Sequence, residues 1–290
     1  MENRVLKYFL VVAQEENITR AAEILHVSQP ALSKQLIGLE QELGAKLFVR
    51  GKRSLTLTEE GRFLFRRAQE IVDLTEKTER DFKDGITSLN GTVSIGMGET
   101  EASIWLTSKV AEFSEIYKDV KFNFYSATAD HVKNKLEKGL LDFGLLIEPV
   151  VDLSKFDVLR LPVTDRWGVL VSANSPLAAK DFVTKDDIIA EKLFVPFRIK
   201  DRLTETFGIS ETEIKSFVTH NLLYNVASMV KNNDGVAITI GGAAELYDKK
   251  QVVFRPFSPE VKLSSVLIRK KYKDFSPSAT KFIEFIEQFI

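Results

Sequence analysis

The spacing of the apolar residues changes once along this chain of 290 residues, close to Asn90 and Gly91. Before that point apolar residues recur three and four positions apart, which is the spacing of amphipathic helices. After it, short apolar runs of strand length alternate with helical stretches, as they do in a parallel sheet with helical crossovers. A chain of this length is expected to form two or three domains. We therefore predict an N-terminal all-α segment and a larger α/β segment.

The α/β segment contains two successive sets of alternating elements. The first set predicts strands over 92–97, 120–125 and 143–147, and helices over 104–117 and 132–140. The second set predicts strands over 168–171, 193–197, 213–218 and 235–240, and helices near 203 and over 222–231. A final strand over 262–269 and a helix over 276–290 have no sheet of their own to complete, so we expect them to return to the first set. The segment is thus predicted to form two α/β lobes.

Ligands of open α/β sheets bind beyond the carboxyl ends of the strands, so two such lobes would face each other across a cleft for a small molecule. The candidate ligand-binding residues lie just past the predicted strand ends: Gly98, Glu99, Thr100, Ser126, Thr128, Phe197, Arg198 and Asn221. An arginine at such a position can hold a carboxylate or phosphate bidentately. Thr100 and Asn221 can cap helices whose free N–H groups attract an anion, although a purely structural cap is the commoner role of these residue types.

The first segment predicts two short helices joined by a tight turn after an initial helix. Thr19 can cap the first of the two, and Ser28 can cap the second, with Pro30 in its first turn, where a missing N–H costs no helical hydrogen bond. We expect the apolar residues of this last helix to face inward: Ala31, Leu32, Leu36, Leu39 and Leu43. The polar residues of its N-terminal half would then project outward: Gln29, Ser33, Lys34 and Gln35.

This arrangement is what a helix-turn-helix requires, because its second helix must enter the major groove with its N-terminal residues towards the bases. Glutamine can pair with adenine and lysine with guanine. A three-helix bundle with a solvated polar face fits this segment alone equally well. A following hairpin, with strands over 47–49 and 55–57, favours the DNA-binding interpretation because of the cations at its tip: Arg50, Lys52 and Arg53. Such cations can bind phosphates or the minor groove.

Thr58, followed by Glu59 and Glu60, predicts the start of a long helix that reaches to about Leu89. Along it, residues recur at alternating steps of four and three, which is coiled-coil spacing: Leu64, Ala68, Ile71, Thr75, Thr78 and Phe82. Because charges flank this stripe, we expect it to face a partner subunit. Packing of the helix within its own chain is the alternative.

The composition argues against several other functions. The chain has no cysteine, and its three histidines lack metal-ligand spacing, so we expect no metal, no cofactor and no enzyme activity. The charged first residues and the lack of about 18 consecutive apolar residues indicate neither export nor a membrane span, so a cytoplasmic location is expected. The net charge is −1, so a DNA-binding surface must be local. The alternatives are an α/β enzyme and a small-molecule-binding protein without a DNA role.

One further feature is a long and specific match within about the first 60 residues. It comprises Ile18 to Leu36, with the run Ser28-Gln29-Pro30-Ala31-Leu32-Ser33-Lys34, then Leu39-Glu40, Leu43-Gly44, Leu47 to Arg50 and Leu57 to Gly61. These residues closely resemble the LysR-type transcriptional regulators. The resemblance implies a winged helix-turn-helix, a linker helix and two Rossmann-like lobes like those of type 2 periplasmic binding proteins. It also implies effector-facing roles for Thr100 and Thr128. The DNA-facing positions that it implies are Ser28, Gln29, Pro30, Ser33, Lys34, Arg50 and Arg53.

We therefore expect a sequence-specific DNA-binding transcription regulator. Its C-terminal domain would bind a small, anionic effector and adjust promoter binding or bending. The expected partners are double-stranded DNA, the effector and further copies of the chain in a homodimer or homotetramer, with RNA polymerase as a candidate. The expected domains are a winged helix-turn-helix over 1–58, a linker and dimerisation helix over 59–90, and an effector-binding domain over 91–290, in which lobe I comprises 91–161 and 267–290 and lobe II comprises 162–266.

Overall fold

The computed structural model describes residues 1–50, 55–83, 89–148, 152–210, 213–214, 217–272 and 275–290. The chain forms two compact units, Met1–Gly85 and Ile86–Ile290. Each has its own apolar core, and each is described separately below. Within these described ranges, no helix combines the length and the apolar character that crossing a membrane requires.

The first unit consists of four helices and a two-stranded sheet. Its elements are α1 (Asn3–Glu15), α2 (Ile18–Ile24), α3 (Gln29–Leu43), β1 (Phe48–Arg50), β2 (Leu55–Leu57) and α4 (Glu59–Lys83). The two strands pair antiparallel, with Phe48 opposite Leu57. The fully buried Phe9 of α1 lies in the core of this unit, and its ring contacts that of Phe48 at a centroid distance of 5.3 Å. The predicted combination of helix-turn-helix and hairpin is therefore present.

Side-chain caps fix where these helices begin. The Asn17 carboxamide oxygen accepts hydrogen bonds from the N–H groups of Thr19 and Arg20, so Asn17 caps α2 and the prediction of Thr19 as the cap is wrong. Asparagine in an extended conformation outside the first turn is better placed to accept these bonds than a residue already inside the helix. The predicted caps Ser28 and Thr58 are confirmed: Ser28 Oγ accepts from Ala31, and Thr58 Oγ1 accepts from Gly61.

The buried face of α3 is narrower than predicted. Leu32, Leu36 and Leu39 are buried, whereas Ala31 is exposed and Leu43 is 41% exposed. Ala31 lies about 100° around the helix from Leu32, towards the polar face. Leu43 lies in the last turn, immediately before α3 ends at Gly44, whose φ of 66° suits glycine. The expectation that these two residues face inward is therefore wrong.

The second unit is a nine-stranded mixed sheet with helices. Its strands are β3 (Gly91–Met97), β4 (Val120–Ser126), β5 (Phe143–Ile147), β6 (Phe156–Ser172), β7 (Leu193–Pro196), β8 (Phe217–His220), β9 (Val236–Ile240), β10 (Val252–Pro256) and β11 (Lys262–Lys270). Its α-helices are α5 (Glu101–Ile116), α6 (Ala129–Glu137), α7 (Lys185–Ile188), α8 (Leu203–Phe207), α9 (Tyr224–Lys231), α10 (Gly241–Ala244) and α11 (Pro277–Glu287). Segments of 3-10 helix in the described part of this unit include Pro176–Ala179 and Phe197–Arg202.

The strand order is β4-β3-β5-β11-β6-β9-β7-β8, and β10 pairs with β6 outside this path. At one end β3 lies between β4 and β5, parallel to both, and at the other end β7 lies between β8 and β9, also parallel to both. The first half of β6 pairs antiparallel with β11, and its second half pairs with β9 and β10. Each end of the sheet is thus a small α/β lobe, and β6 belongs to both.

Most of the predicted strands are found, but the sequence pattern did not predict most of β6 or any of β10. Only 168–171 was expected of β6, which spans 17 residues, because its first half alternates apolar residues with Asp157, Arg160 and Pro162 rather than forming an apolar run. The strand β10 was missed because it is short and contains Arg255 and Pro256. Of the strand expected over 213–218, residues 217 and 218 belong to β8 (Phe217–His220), residues 213–214 are not in a strand, and residues 215–216 lie outside the described residues.

The carboxylate of Asp165 connects the two lobes. Asp165 lies in the middle of β6 and is only 3% exposed. One of its oxygens accepts from the N–H of Glu101, the first residue of α5, at 2.9 Å, and the other accepts from the N–H of Gly242 in α10 at 3.2 Å. The two helices approach so closely that a Cβ atom on Gly242 would lie 1.8 Å from the Glu101 nitrogen. A single buried anion therefore satisfies helix N–H groups from both lobes.

We predict that Asp165→Ala lowers the free energy of unfolding of the second unit by about 2 to 4 kcal/mol, because the buried N–H groups of Glu101 and Gly242 lose their acceptor. Chemical denaturation followed by circular dichroism measures this change. Asp165→Asn is the control, because it retains one acceptor oxygen and should have a smaller effect. Equal stability of Asp165→Ala and the wild type would contradict the connecting role.

Candidate functional site

The N-terminal half of α3 presents a polar surface to solvent. Ser28, Gln29, Pro30 and Lys34 are exposed, and Ser33 is half-buried. The Gln29 carboxamide donates a hydrogen bond to Ser33 Oγ at 2.8 Å, which links these two side chains one turn apart. These predicted residues therefore share one accessible surface that carries amide, hydroxyl and ammonium groups, which are the groups that read base edges and bind phosphates.

Glu40 attaches the hairpin to α3. Its carboxylate accepts from the Lys46 ammonium at 2.7 Å and from the N–H groups of Leu47 at 2.9 Å and Phe48 at 3.4 Å. Burial disfavours ionisation of this carboxyl group, but the hydrogen bonds from Lys46, Leu47 and Phe48 outweigh burial and lower the pKa of Glu40. The start of β1 is therefore fixed relative to the polar surface of α3. Arg50 ends β1, while the predicted contacts Lys52 and Arg53 lie outside the described residues.

The stripe predicted on α4 divides into two parts. Leu64 and Ala68 are 7% and 0% exposed and belong to the core of the first unit, so the expectation that they face a partner subunit is corrected. Burial against α1 explains the difference, since α1 and α4 pack together. Further along α4, Ile71 and Phe82 are 40% and 67% exposed. The stripe is completed by half-buried Thr75 and exposed Thr78, whose hydroxyls donate to carbonyl oxygens one turn earlier in α4.

A cleft opens in the second unit at the carboxyl ends of the parallel strands of both lobes. Its lining includes residues that follow β3, β4, β7 and β8 and the last residues of β5 and β9. Its volume is about 170 Å³. An engineered cavity of about 150 Å³ binds benzene, so this cleft suits a small molecule. The site is where ligands bind in open α/β sheets.

The cleft brings together most of the residues predicted to bind a ligand. Its lining includes Gly98, Glu99, Thr100, Thr128, Arg198 and Asn221. Ser126 and Phe197 lie outside this lining, and Phe197 is 69% exposed. Ser126 is the last residue of β4 and is exposed. Their neighbours in the chain, Ala127 and Arg198, line the cleft instead.

Only one of the two predicted helix caps at the cleft is observed. Thr100 caps α5 by accepting from the Ser103 N–H at 3.0 Å. The anion at this helix end is the protein's own Asp165, so the N–H of Glu101 is not free for a ligand. Asn221 does not cap α9, which begins after Leu223, and its carboxamide oxygen accepts from Leu222 instead. Its predicted capping role is therefore wrong.

At the start of α6, Thr128 makes no side-chain cap hydrogen bond. Its hydroxyl is instead 2.8 Å from Nδ1 of His131. The first N–H groups of a helix have no partner within the helix, so this helix end can bind an acceptor. The helix has 9 residues, and Thr128 and Ala129 at its start line the cleft.

The ionisable groups of the cleft differ in their surroundings. Burial raises the pKa of Glu99, which is half-buried. Burial lowers the pKa of His220, so its imidazole is neutral at pH 7. Hydrogen bonding from Lys133 lowers the pKa of Asp130 in the first turn of α6, and the positive charge of Arg198 contributes to this shift. No group of His, Asp or Glu side chains in the described ranges is arranged to hold a metal ion.

Sequence reasoning missed several residues that line the cleft. These are mainly apolar residues and one hydroxyl, including Leu145, Ile147, Trp167, Leu223, Thr239 and Ala243. Ile147 and Thr239 lie at the ends of β5 and β9, so the strand-end rule that selected Thr100 and Thr128 could also have selected them. Trp167 could not be found in this way, because it lies inside β6 and only the fold brings it to the cleft.

The comparisons with known proteins agree with this architecture. Residues 3–62 match the family of bacterial regulatory helix-turn-helix proteins, lysR family, and residues 87–290 match the LysR substrate binding domain. The chain belongs to the LysR family: it is a LysR-type transcriptional regulator with a helix-turn-helix DNA-binding domain and a substrate-binding domain, and it is not an enzyme.

Individual relatives extend over most of the chain. The HTH-type transcriptional regulator YtlI of Bacillus subtilis (strain 168) is 30% identical over 247 residues, which is 82% of this chain and 77% of the relative. The Hca operon transcriptional activator HcaR of Escherichia coli (strain K12) is 29% identical over 299 residues, covering 99% of this chain and 98% of the relative. These relatives support membership of the family along both units.

Among solved structures, full-length CbnR complexed with its target DNA superposes with a TM-score of 0.80 at 19% identity, covering 100% of both chains. A full-length OxyR variant from Pseudomonas aeruginosa gives a TM-score of 0.58 at 22% identity, covering 100% of this chain and 99% of that chain. The predicted fold class, an N-terminal winged helix-turn-helix followed by an α/β ligand-binding part, is thereby confirmed.

We predict that Glu99→Gln makes the ligand-free protein more stable near pH 7. Below the ordinary carboxyl pKa of 4.5, Glu99 is protonated in both the folded and unfolded chains, and the substitution should have little effect. As the pH rises through the raised pKa of the folded state, the folded chain must ionise a half-buried carboxyl group, so the wild type loses stability relative to the variant. Melting temperatures of both proteins between pH 4 and 8 measure this difference.

Glu101→Gln is the control for that measurement, because Glu101 is close in sequence but does not line the cleft. If the wild type is as stable as Glu99→Gln at every pH, burial does not make ionisation of Glu99 unfavourable in the folded protein, and the prediction is wrong.

Proposed function

We propose that this regulator reads promoter DNA with the polar surface of α3 and binds the flanking backbone with the hairpin. The observation that supports this most directly is the joint exposure of Ser28, Gln29, Pro30 and Lys34 at the N-terminal end of a helix whose opposite face is buried. In this proposal Gln29 and Lys34 contact base edges, Ser33 positions Gln29, and Arg50, Lys52 and Arg53 contact phosphates or the minor groove.

We further propose that the functional boundaries lie at 58/59 and 90/91, with lobe I over 91–161 and 267–290 and lobe II over 162–266. The exposed part of α4 would join two copies of the chain. Ile71 and Phe82 are exposed on the predicted stripe, and Leu74 beside it is 45% exposed, so this surface would bury apolar area in a dimer. Paired subunits would place two α3 helices on two half-sites, and a tetramer and contacts with RNA polymerase are compatible extensions.

The cleft of the second unit would bind the effector. Arg198 and the uncapped start of α6 are suited to a carboxylate. Binding of the ligand would alter how the protein binds or bends promoter DNA. This regulation would take place in the cytoplasm, where promoter DNA is. Thr100 and Thr128 also line the cleft and supply hydroxyl groups. The positive charge of Arg198 would orient the anion.

We predict that Gln29→Ala and Lys34→Ala each reduce discrimination at particular base pairs, with a cost of about 1 to 3 kcal/mol per lost base contact. The experiment uses a duplex that this protein selects from a random-sequence library, and competition with single-base variants of the duplex measures discrimination by fluorescence anisotropy. Lys121→Ala is the matched control, since Lys121 is an exposed lysine of the second unit.

Two results would count against this proposal. Weakening that is uniform across all duplexes would show that Gln29 and Lys34 contact only the backbone. Unchanged affinity and discrimination in both variants, at several salt concentrations, would show that α3 does not contact DNA.

A further inference from the structure

Two side chains of opposite charge line the effector cleft, and they belong to different lobes. Glu99 follows β3 in the first lobe, and Arg198 follows β7 in the second. Burial alone raises the pKa of Glu99, whereas Arg198 acts on the pKa of Asp130. Among the described residues Arg198 forms no ion pair with Glu99, so the cleft offers a ligand two separate charges.

The charge of Glu99 acts on the phenol of Tyr247. Burial, the charge of Glu99 and the nearby Tyr224 raise the pKa of Tyr247 to about 12, so its phenol is uncharged at pH 7. No ion pair of Glu99 is found among the described residues. A half-buried carboxylate without a cation is unfavourable. A cationic nitrogen on the ligand would remove this penalty.

Arg198 and the first residues of α6 line the same cleft. The charge of Arg198 contributes to the lowered pKa of Asp130 in the first turn of this helix. Asp130 itself forms an ion pair with Lys133 at 3.0 Å, and its side chain is 67% exposed. Thr128 leaves the helix end uncapped, since its hydroxyl is directed to His131. Arg198 and these N–H groups together can bind a carboxylate of the ligand.

Much of the remaining lining of the cleft is apolar. It includes Trp167, Ile147, Leu223 and Ile240, and the neutral imidazole of His220 adds one donor and one acceptor. Such a wall favours contact with hydrocarbon groups. A ligand whose two charges are separated by a short apolar segment would match both the charges and the walls of the cleft.

We propose, on the basis of the function proposed above, that the effector is a small amphoteric molecule whose cationic nitrogen binds Glu99 and whose carboxylate binds Arg198 and the first turn of α6. Its charges are separated by an apolar segment, as in an ω-amino acid. An α-amino acid is a poorer match, because its two charges are attached to the same carbon. A simple carboxylate is also a poorer match, because it leaves Glu99 without a partner.

The experiment measures binding of matched probes to the full-length protein by isothermal titration calorimetry. The probes are the zwitterions 4-aminobutanoate, 5-aminopentanoate and 6-aminohexanoate. They are compared with three other compounds: pentanoate lacks the amine, pentan-1-amine lacks the carboxylate, and 2-aminopentanoate has both charged groups attached to one carbon. We expect at least one ω-amino acid to bind about tenfold or more tightly than each of the last three compounds, because both charged contacts then contribute.

Two variants, each with one charged side chain replaced by a neutral one, test which residue binds the amine and which binds the carboxylate. Glu99→Gln should remove the advantage of the ω-amino acid over pentanoate while leaving pentanoate binding unchanged. Arg198→Gln should remove its advantage over pentan-1-amine. Glu101→Gln and Arg166→Gln are the matched controls and should behave as the wild type, since neither Glu101 nor Arg166 lines the cleft.

The inference is overturned if no ω-amino acid binds, if pentanoate or 2-aminopentanoate binds as tightly, or if Glu99→Gln binds every probe as the wild type does. DNA binding measured on the same samples separates this inference from the proposed function. Intact, salt-sensitive DNA binding with any of these results refutes only the amphoteric effector. Loss of all DNA preference in the wild type refutes the proposed function itself.

Discussion

The burial of three leucines on one side of α3 holds its other side in place. Leu32, Leu36 and Leu39 lie in the core of the first unit, and burial of such a side chain contributes about 1.5 to 3 kcal/mol. Because the helix cannot rotate without exposing them, Gln29 and Lys34 point outward in a fixed direction. A DNA-reading surface on this unit depends on that constraint, since a recognition helix must present the same groups at each encounter.

Other parts of the first unit are built onto the same helix. Glu40, near the end of α3, binds the backbone of the hairpin through Leu47 and Phe48. The helix α4 begins beside the hairpin, where the Thr58 hydroxyl donates to the Lys46 carbonyl oxygen, and it then adds Leu64 to the core. The packing of α3 thus fixes the positions of the start of the hairpin and the beginning of α4.

In the second unit, the corresponding constraint is that both lobes share β6. Asp165 in the middle of this strand accepts hydrogen bonds from the first turns of α5 and α10. The same two elements supply residues at the cleft, Thr100 before α5 and Ala243 within α10. The cleft therefore lies close to the hydrogen bonds that join the lobes. Under the proposed function, a ligand bound there would act where one lobe can move relative to the other.

The sequence predicts features that depend on neighbouring residues and fails for those that depend on distant ones. The cap of α3, the strand β5 and the strand-end positions of Glu99 and Arg198 follow local rules and are observed. The burial of Leu64 depends on α1, and the place of Trp167 depends on how β6 crosses both lobes. Neither can be derived from spacing along one element. The choice between neighbours such as Phe197 and Arg198 depends on how the 3-10 helix after β7 directs their side chains, which the spacing of residues does not give.

Site-specific photo-crosslinking tests the central claim most directly. A crosslinking amino acid is placed singly at positions 29, 34 and 121 of the full-length protein, which is then irradiated on a duplex that the wild type has selected. The account predicts crosslinks from positions 29 and 34 to bases in the major groove of each half-site, and none from position 121. Bound DNA without crosslinks from positions 29 and 34 would contradict it.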